Sequence, residues 1–168
     1  MWIFALVKWG DLKYWKKYYP TILFFALWDL VYLYLLSDLY PMWKFSPQGL
    51  DANVGLTSAH ISLSIILIKY PATAIIYLYN FPNKKKLRQL LYVISWVLIY
   101  TLNEFIDFKL NLINYYNGWN LYWSTLFNFV MFLILKTHYT RPLLAWVFSL
   151  LFVIFLWNVF DVPSKVFR

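Results

Sequence analysis

The sequence contains no cysteine, and this absence excludes disulfide bonds, thiolate metal sites and cysteine nucleophiles. Charged residues are also scarce, because Asp, Glu, Lys and Arg make up only 13% of the 168 residues. A typical soluble domain carries about 25% charged residues. Glycine occurs only four times, and no GxxxG helix-packing motif is present. The low charge argues strongly against a soluble protein.

Hydrophobic residues make up 62% of the chain and aromatic residues 24%. Tryptophan and tyrosine are enriched where membrane proteins meet the lipid headgroups, so this composition is typical of an integral membrane protein. The net charge of +8 does not indicate nucleic-acid binding, because the basic residues form short clusters between apolar segments. The chain has no phosphate-binding loop, glycine fingerprint or serine-histidine-acid order, which disfavours nucleotide and nucleophilic chemistry.

Five segments approach the roughly 20 apolar residues that a membrane-spanning helix requires. They are residues 21–39, 57–79, 90–108, 119–135 and 143–160. Residues 1–19 mix tryptophans with lysines and predict a helix that lies in the interface on an anionic cytoplasmic leaflet. We expect no cleaved signal peptide here, so the first span should act as the insertion signal. The predicted fold is all-α: a single domain, residues 1–168, with five transmembrane helices and an amino-terminal interfacial helix.

The basic residues predict the orientation, because cytoplasmic loops hold the excess of lysine and arginine. With five spans, one side collects ten of these residues: Lys8, Lys13, Lys16, Lys17, Lys84, Lys85, Lys86, Arg88, Lys136 and Arg141. The other side receives Lys44, Lys109, Lys165 and Arg168. The sequence therefore predicts a cytoplasmic amino terminus and an outside carboxyl terminus.

Several strings are distinctive, namely KYYPTILFF, YNFPNKKK, WVLIY, YYNGWN and PLLAW. Together they resemble an uncharacterised family of small multi-spanning membrane proteins of spore-forming Gram-positive bacteria. The resemblance extends from the first predicted span to the last. It implies a location in the bacterial plasma membrane and brings no catalytic motif.

Two charged residues lie deep within predicted spans, where each costs about 2.5–3.5 kcal/mol on insertion scales. Asp29 lies about 12 Å along the first span, and Lys69 lies about 18 Å from the outer end of the second. Their similar depth predicts an ion pair between Asp29 and Lys69. The pair would either fix the register of the two helices or belong to a transport or proton-relay path, unless Lys69 extends alone toward the interface.

Glu104 and Asp107 are three residues apart and therefore share one face of the third span. The next span carries polar residues every four positions, and a short connection predicts that the two spans form an antiparallel hairpin. We expect an outward-facing polar pocket that binds a ligand through Glu104, Asp107, His60, Asn120, Ser124 and Asn128, with Trp119 and Trp123 at its rim. The alternatives for these residues are interhelical hydrogen bonds and, for the tryptophans, the interfacial belt.

The pocket admits three classes of function. The first is binding or transport of a small molecule or cation, and the second is an accessory role through helix contacts with a larger membrane partner. The third is a metal-dependent intramembrane enzyme, in which His60, Glu104 and Asp107 would hold the ion. The sequence identifies no cofactor, and it leaves a homo-oligomer open.

Overall fold

A computed structural model of the protein describes residues 1–46, 53, 55–83 and 85–167. The chain is mostly helical, as predicted. The helices are Trp2–Trp9 (α1), Tyr19–Leu35 (α2), Ser58–Tyr79 (α3), Lys86–Lys109 (α4), Leu121–Thr140 (α5) and Pro142–Val159 (α6). Two 3-10 turns, Leu12–Lys17 and Ser164–Val166, and two short strands, Trp43–Phe45 (β1) and Ile113–Tyr115 (β2), complete the described part.

Each of the five predicted spans forms a helix, and three of these helices, α3, α4 and α6, are long and apolar enough to cross a membrane. This finding fits the prediction of a membrane protein. Helix α2 has 17 residues and is therefore about 26 Å long, slightly less than the hydrocarbon core of about 30 Å. Helix α5 has 20 residues, but its polar side chains lower its mean hydropathy.

A two-stranded ribbon, which the sequence did not predict, fixes one end of the bundle. Strand β1 pairs with β2 in antiparallel register, with Lys44 opposite Asn114. Because β1 follows α2 and β2 follows α4, the ribbon holds the carboxyl ends of these helices together. The Tyr40 hydroxyl donates a hydrogen bond of 2.9 Å to the Phe160 carbonyl and brings the carboxyl end of α6 to the same place. We call this the ribbon end.

The opposite end, which we call the basic end, collects the large group of lysines and arginines. The ammonium of Lys136 lies 4.5 Å from the centre of the Phe81 ring, and that of Lys17 lies 5.6 Å from the Tyr139 ring. Arg141 alone connects α5 to α6 here. The charge groups of the prediction therefore separate to the two ends, except that Lys84 and Arg168 lie outside the described residues.

Residues 1–19 form α1 and the 3-10 turn Leu12–Lys17, not the one helix that the sequence predicted, and α1 packs along α3. The Asn80 side chain donates a hydrogen bond of 2.9 Å to the Trp9 carbonyl at the basic end. At the other end of α1, the Trp2 ring lies 5.9 Å from Tyr100 and 5.5 Å from the Lys69 ammonium. The physical reason is composition: the lysines of this region mostly follow α1, which is itself nearly all apolar.

The core of the bundle centres on Tyr77 of α3, which has no solvent exposure. Its ring lies 5.0 Å from Phe132 of α5 and 5.9 Å from Trp96 of α4. Its hydroxyl donates a hydrogen bond of 2.9 Å to the Phe132 carbonyl. One side chain therefore joins three helices through packing and a hydrogen bond.

Replacing Tyr77 by alanine should lower the free energy of unfolding by about 3 kcal/mol, because a large buried ring is removed. The matched control is Tyr79→Ala, two positions along the same helix, where the side chain is 54% exposed. Unfolding in mixed micelles with increasing dodecyl sulfate, followed by tryptophan fluorescence, measures both changes. Equal losses in the two variants would contradict the central position of Tyr77.

Candidate functional site

A cavity of about 110 Å³ lies in the ribbon half of the bundle, and we call it the polar cavity. Four charged side chains line it: Asp29 from α2, Lys69 from α3, and Glu104 and Asp107 from α4. Its other lining residues include Ser124, Asn128, Tyr70, Tyr100, Trp43 and Trp119. The structure therefore gathers into one space acids and a base that the sequence analysis assigned to two separate sites.

The Glu104 carboxylate is held by two hydroxyl groups. Its Oε1 atom accepts hydrogen bonds from the Tyr115 hydroxyl at 2.8 Å and from the Ser124 hydroxyl at 2.5 Å. The indole nitrogen of Trp119 in turn donates to the Ser124 oxygen at 2.8 Å. No described residue donates a hydrogen bond to Oε2 of Glu104. The carboxylate is thus fixed through one oxygen, while the other has no protein partner in this part of the chain.

Strand β2 explains why Tyr115 acts as a donor. Pairing with β1 sets Tyr115 opposite Trp43, and the Tyr115 ring stacks on Phe108 at 5.1 Å. Burial raises the pKa of the Tyr115 hydroxyl, and the negative charge of Glu104 raises it further. The hydroxyl therefore keeps its proton at neutral pH and donates a hydrogen bond to the carboxylate.

Lys69 reaches the cavity from a π-helical turn, Ile65–Lys69, in the middle of α3. Pro71 follows this turn and has no N–H to donate to the carbonyl of Leu67, so the regular helical hydrogen bonding is interrupted here. The Lys69 ammonium donates to the Asn103 side chain at 3.1 Å and lies 4.4 Å from the centre of the Tyr100 ring. Neutral groups of α4 therefore make the direct contacts with this cation, and the charges of Asp107 and Glu104 attract it from further away.

The predicted ion pair between Asp29 and Lys69 is not formed. Within the described residues, the ion pair that the structure contains is between Lys44 and Asp38, at 3.4 Å. The group that faces the Asp29 carboxylate is the Tyr70 hydroxyl. Asp29 and Lys69 nevertheless line the same cavity, in agreement with their similar predicted depth. Depth alone does not give the direction in which each side chain points around its helix, and the π-helical turn changes that direction for Lys69.

Three residues of the predicted pocket do not line the polar cavity. His60 is exposed, and its Nδ1 accepts a hydrogen bond of 3.1 Å from the backbone N–H of Thr57 at the start of α3. Asn120 caps α5, because its side-chain oxygen accepts a 3.0 Å hydrogen bond from the N–H of Tyr122. Trp123 packs 5.0 Å from the Phe160 ring. The remaining members, Glu104, Asp107, Ser124, Asn128 and Trp119, do line the cavity.

The predicted metal site at His60, Glu104 and Asp107 is not assembled. The described part of the chain contains no group of three histidine, aspartate or glutamate side chains able to hold an ion. The reason is local, since the capping position keeps His60 at the exposed start of α3.

Sequence reasoning also missed residues in and beside the cavity. Tyr70 lines the cavity and Tyr115 donates to Glu104, but they are two of fifteen tyrosines, and nothing local separates them from the exposed ones. Asn103, which contacts Lys69, could have been found from the sequence, because it is a polar residue directly before Glu104 within an apolar segment. Asn128 was predicted, but its amide nitrogen is buried and finds no partner among the described residues. Leaving this donor unpaired costs about 1–3 kcal/mol of stability.

No family model, curated protein or solved structure matches the chain. The family resemblance of the sequence strings therefore stays a prediction. What the site can bind is therefore inferred from its own geometry.

The bonds to Glu104 predict a contrast between two substitutions. Glu104→Leu leaves the hydroxyls of Ser124 and Tyr115 without their acceptor and should lower the free energy of unfolding by about 2–4 kcal/mol. Glu104→Gln keeps an oxygen acceptor and should cost about 1 kcal/mol. Unfolding by dodecyl sulfate measures both. Similar losses in the two variants would show that the two hydroxyls do not depend on this carboxylate.

Proposed function

We propose that the protein is a five-span membrane protein that binds a small organic cation in the polar cavity. The observation that carries the proposal is the charge of the lining: three carboxylates and one ammonium give a net formal charge of −2. The ammonium of Lys69 is already held by Asn103 and the Tyr100 ring. The acidic groups therefore have capacity for a cation that the protein does not itself supply.

The position of each acid supports this assignment. Glu104 is oriented by two hydroxyls through one oxygen, so a cation can approach the other oxygen without breaking a protein hydrogen bond. Asp107 lies one turn further along the same face of α4. Aromatic side chains form much of the wall around these charges, and attraction between charges is stronger where the effective dielectric constant is lower. Transport and sensing of a cation both begin with its binding, so the proposal is limited to binding.

The proposal includes five spans because α2 is apolar and falls short only in length, while α5 is long enough and falls short only in hydropathy. The polar residues of α5, Ser124 and Asn128, are buried and face the cavity, so they do not contact lipid. Helix α2 continues into turns at residues 36–40, which lengthen its path toward the ribbon. The side chains that α4 and α6 expose are mostly large and apolar, as a lipid-facing surface requires.

We assign the basic end to the cytoplasm by the excess of lysine and arginine there. The basic segment Leu12–Lys17 is then cytoplasmic, the carboxyl terminus is outside, and the polar cavity lies in the outer half of a bacterial plasma membrane. The predicted cytoplasmic position of the amino terminus does not fit, because α1 runs from the basic end back to Lys69 and Tyr100 of the cavity wall. The ribbon end, which carries Trp43 and Trp119, faces the exterior.

The orientation can be tested on one helix, because Lys86 and Lys109 are exposed at opposite ends of α4 and the chain has no cysteine. In intact cells, Lys109→Cys should react with a membrane-impermeant maleimide. Lys86→Cys should react only after the membrane is permeabilised. The reverse pattern would place the cavity on the cytoplasmic side, and labelling of both would contradict the assignment of α4 as a span.

Cation binding can be tested with ethylammonium as the probe and the full chain in mild detergent. Saturation-transfer NMR should detect saturable binding of ethylammonium and none of acetate. The double variant Glu104→Gln, Asp107→Asn should weaken binding at least about 10-fold, because each charged partner of a buried pair contributes strongly. Affinity should also fall between about pH 7 and about pH 5, since protons compete with the cation for neighbouring carboxylates.

The matched control is Asp161→Asn, which removes a carboxylate from an exposed position outside the cavity. Asp161 has a positive φ of 48°, which asparagine also adopts readily, so the change is conformationally mild. Binding should be unchanged in this variant. Absence of saturable binding in the wild-type protein, or equal binding in the double variant, would reject the proposed function.

A further inference from the structure

A second cavity, of about 180 Å³, lies between α2, α5 and α6, and we call it the apolar cavity. Its walls are almost entirely hydrophobic and include Phe24, Trp28, Phe152 and Leu156. A cavity of about 150 Å³ with such walls is known to bind benzene. The apolar cavity is therefore large enough for an aromatic ring or a short alkyl chain.

The two cavities share a wall of six residues: Asp29, Trp43, Tyr70, Trp119, Phe127 and Met131. Four of them are aromatic, and one is a carboxylate. Aromatic faces attract cations through the negative charge of their π systems, and aromatic cages with this composition recognise ammonium groups. Met131 is unbranched and flexible, so the wall contains a side chain that can move aside. The boundary itself therefore has the chemistry of an ammonium site.

From the shared wall we infer that the ligand is an amphipathic ammonium compound, with its charge at Asp29 and its aryl or alkyl group in the apolar cavity. The inference rests on the proposed function and names the class of cation that the site takes. The polar cavity receives the head group, and Glu104 and Asp107 add to the negative potential that holds it. Burial of the aryl or alkyl group in the apolar cavity adds affinity that a small cation without such a group does not gain.

The test compares ethylammonium with 4-fluoro-2-phenylethylammonium on the full chain in mild detergent. The fluorinated probe is followed by its ¹⁹F resonance, and its affinity should exceed that of ethylammonium at least about 10-fold, because burial of a ring adds to the affinity. Neutral 2-(4-fluorophenyl)ethanol should bind at least about 10-fold more weakly than the charged probe, because it lacks the ammonium.

A substitution at Val153 separates the two cavities. Val153 lines only the apolar cavity, so Val153→Phe should reduce the affinity for the aryl probe to that for ethylammonium, while ethylammonium binding is kept. Retained ethylammonium binding also shows that the variant is folded. The matched control is Val147→Phe on the same helix, where the side chain is 51% exposed and outside both cavities. This control should leave both affinities unchanged.

The outcomes distinguish the inference from the proposed function. If ethylammonium binds but the aryl probe binds no tighter, the apolar cavity is not used, and the inference fails while the proposed function stands. If the neutral alcohol binds as well as the charged probe, or if Val153→Phe has no effect, the inference also fails. If neither ammonium compound binds, the proposed function itself is rejected.

Discussion

The structure depends most on the way in which Glu104 is accommodated. A carboxylate inside an apolar bundle is costly unless donors surround it, and here the donors come from two different parts of the chain. Ser124 belongs to α5, and Tyr115 belongs to the ribbon that follows α4. Satisfying one charge therefore fixes the spacing of α4 and α5 and the position of β2. The indole of Trp119 extends this network to the start of α5.

The aromatic residues have two roles that composition alone does not separate. Those on the outer faces of α4 and α6 are exposed at the surface of the bundle, whereas others pack as pairs inside it. Tyr32 stacks on Trp43 at 4.0 Å, and Phe25 stacks on Tyr70 at 3.8 Å. Glycine is scarce, and the small side chains buried in the bundle include Ala72, Ala74 and Ala145. Large rings fill the remaining space between the helices and leave the two cavities where the packing is incomplete.

The positions of the helices could be predicted from the sequence, because apolar segments of sufficient length have few alternatives to a helix in lipid. The membership of Glu104, Asp107, Ser124 and Asn128 in one site was also predictable from helical spacing and depth. The direction of Lys69 was not, since it depends on a π-helical turn: Pro71 indicates an interruption of α3 but not the direction in which the preceding segment rotates. The ribbon was missed as well, because two three-residue strands far apart in the chain carry too little signal.

The π-helical turn has a consequence for how α3 tolerates changes in length. One extra residue per turn shifts the preceding segment, Ser58–Ser64, by about 100° relative to an uninterrupted helix. Ser62 and Ile66 are buried on this side, while Ala72 and Tyr77 are buried beyond it. The two halves of α3 thus follow separate helical registers. Deleting one residue within Ile65–Lys69 would remove this offset and turn the buried face of one half outward, even though Pro71 would remain and the composition of α3 would hardly change.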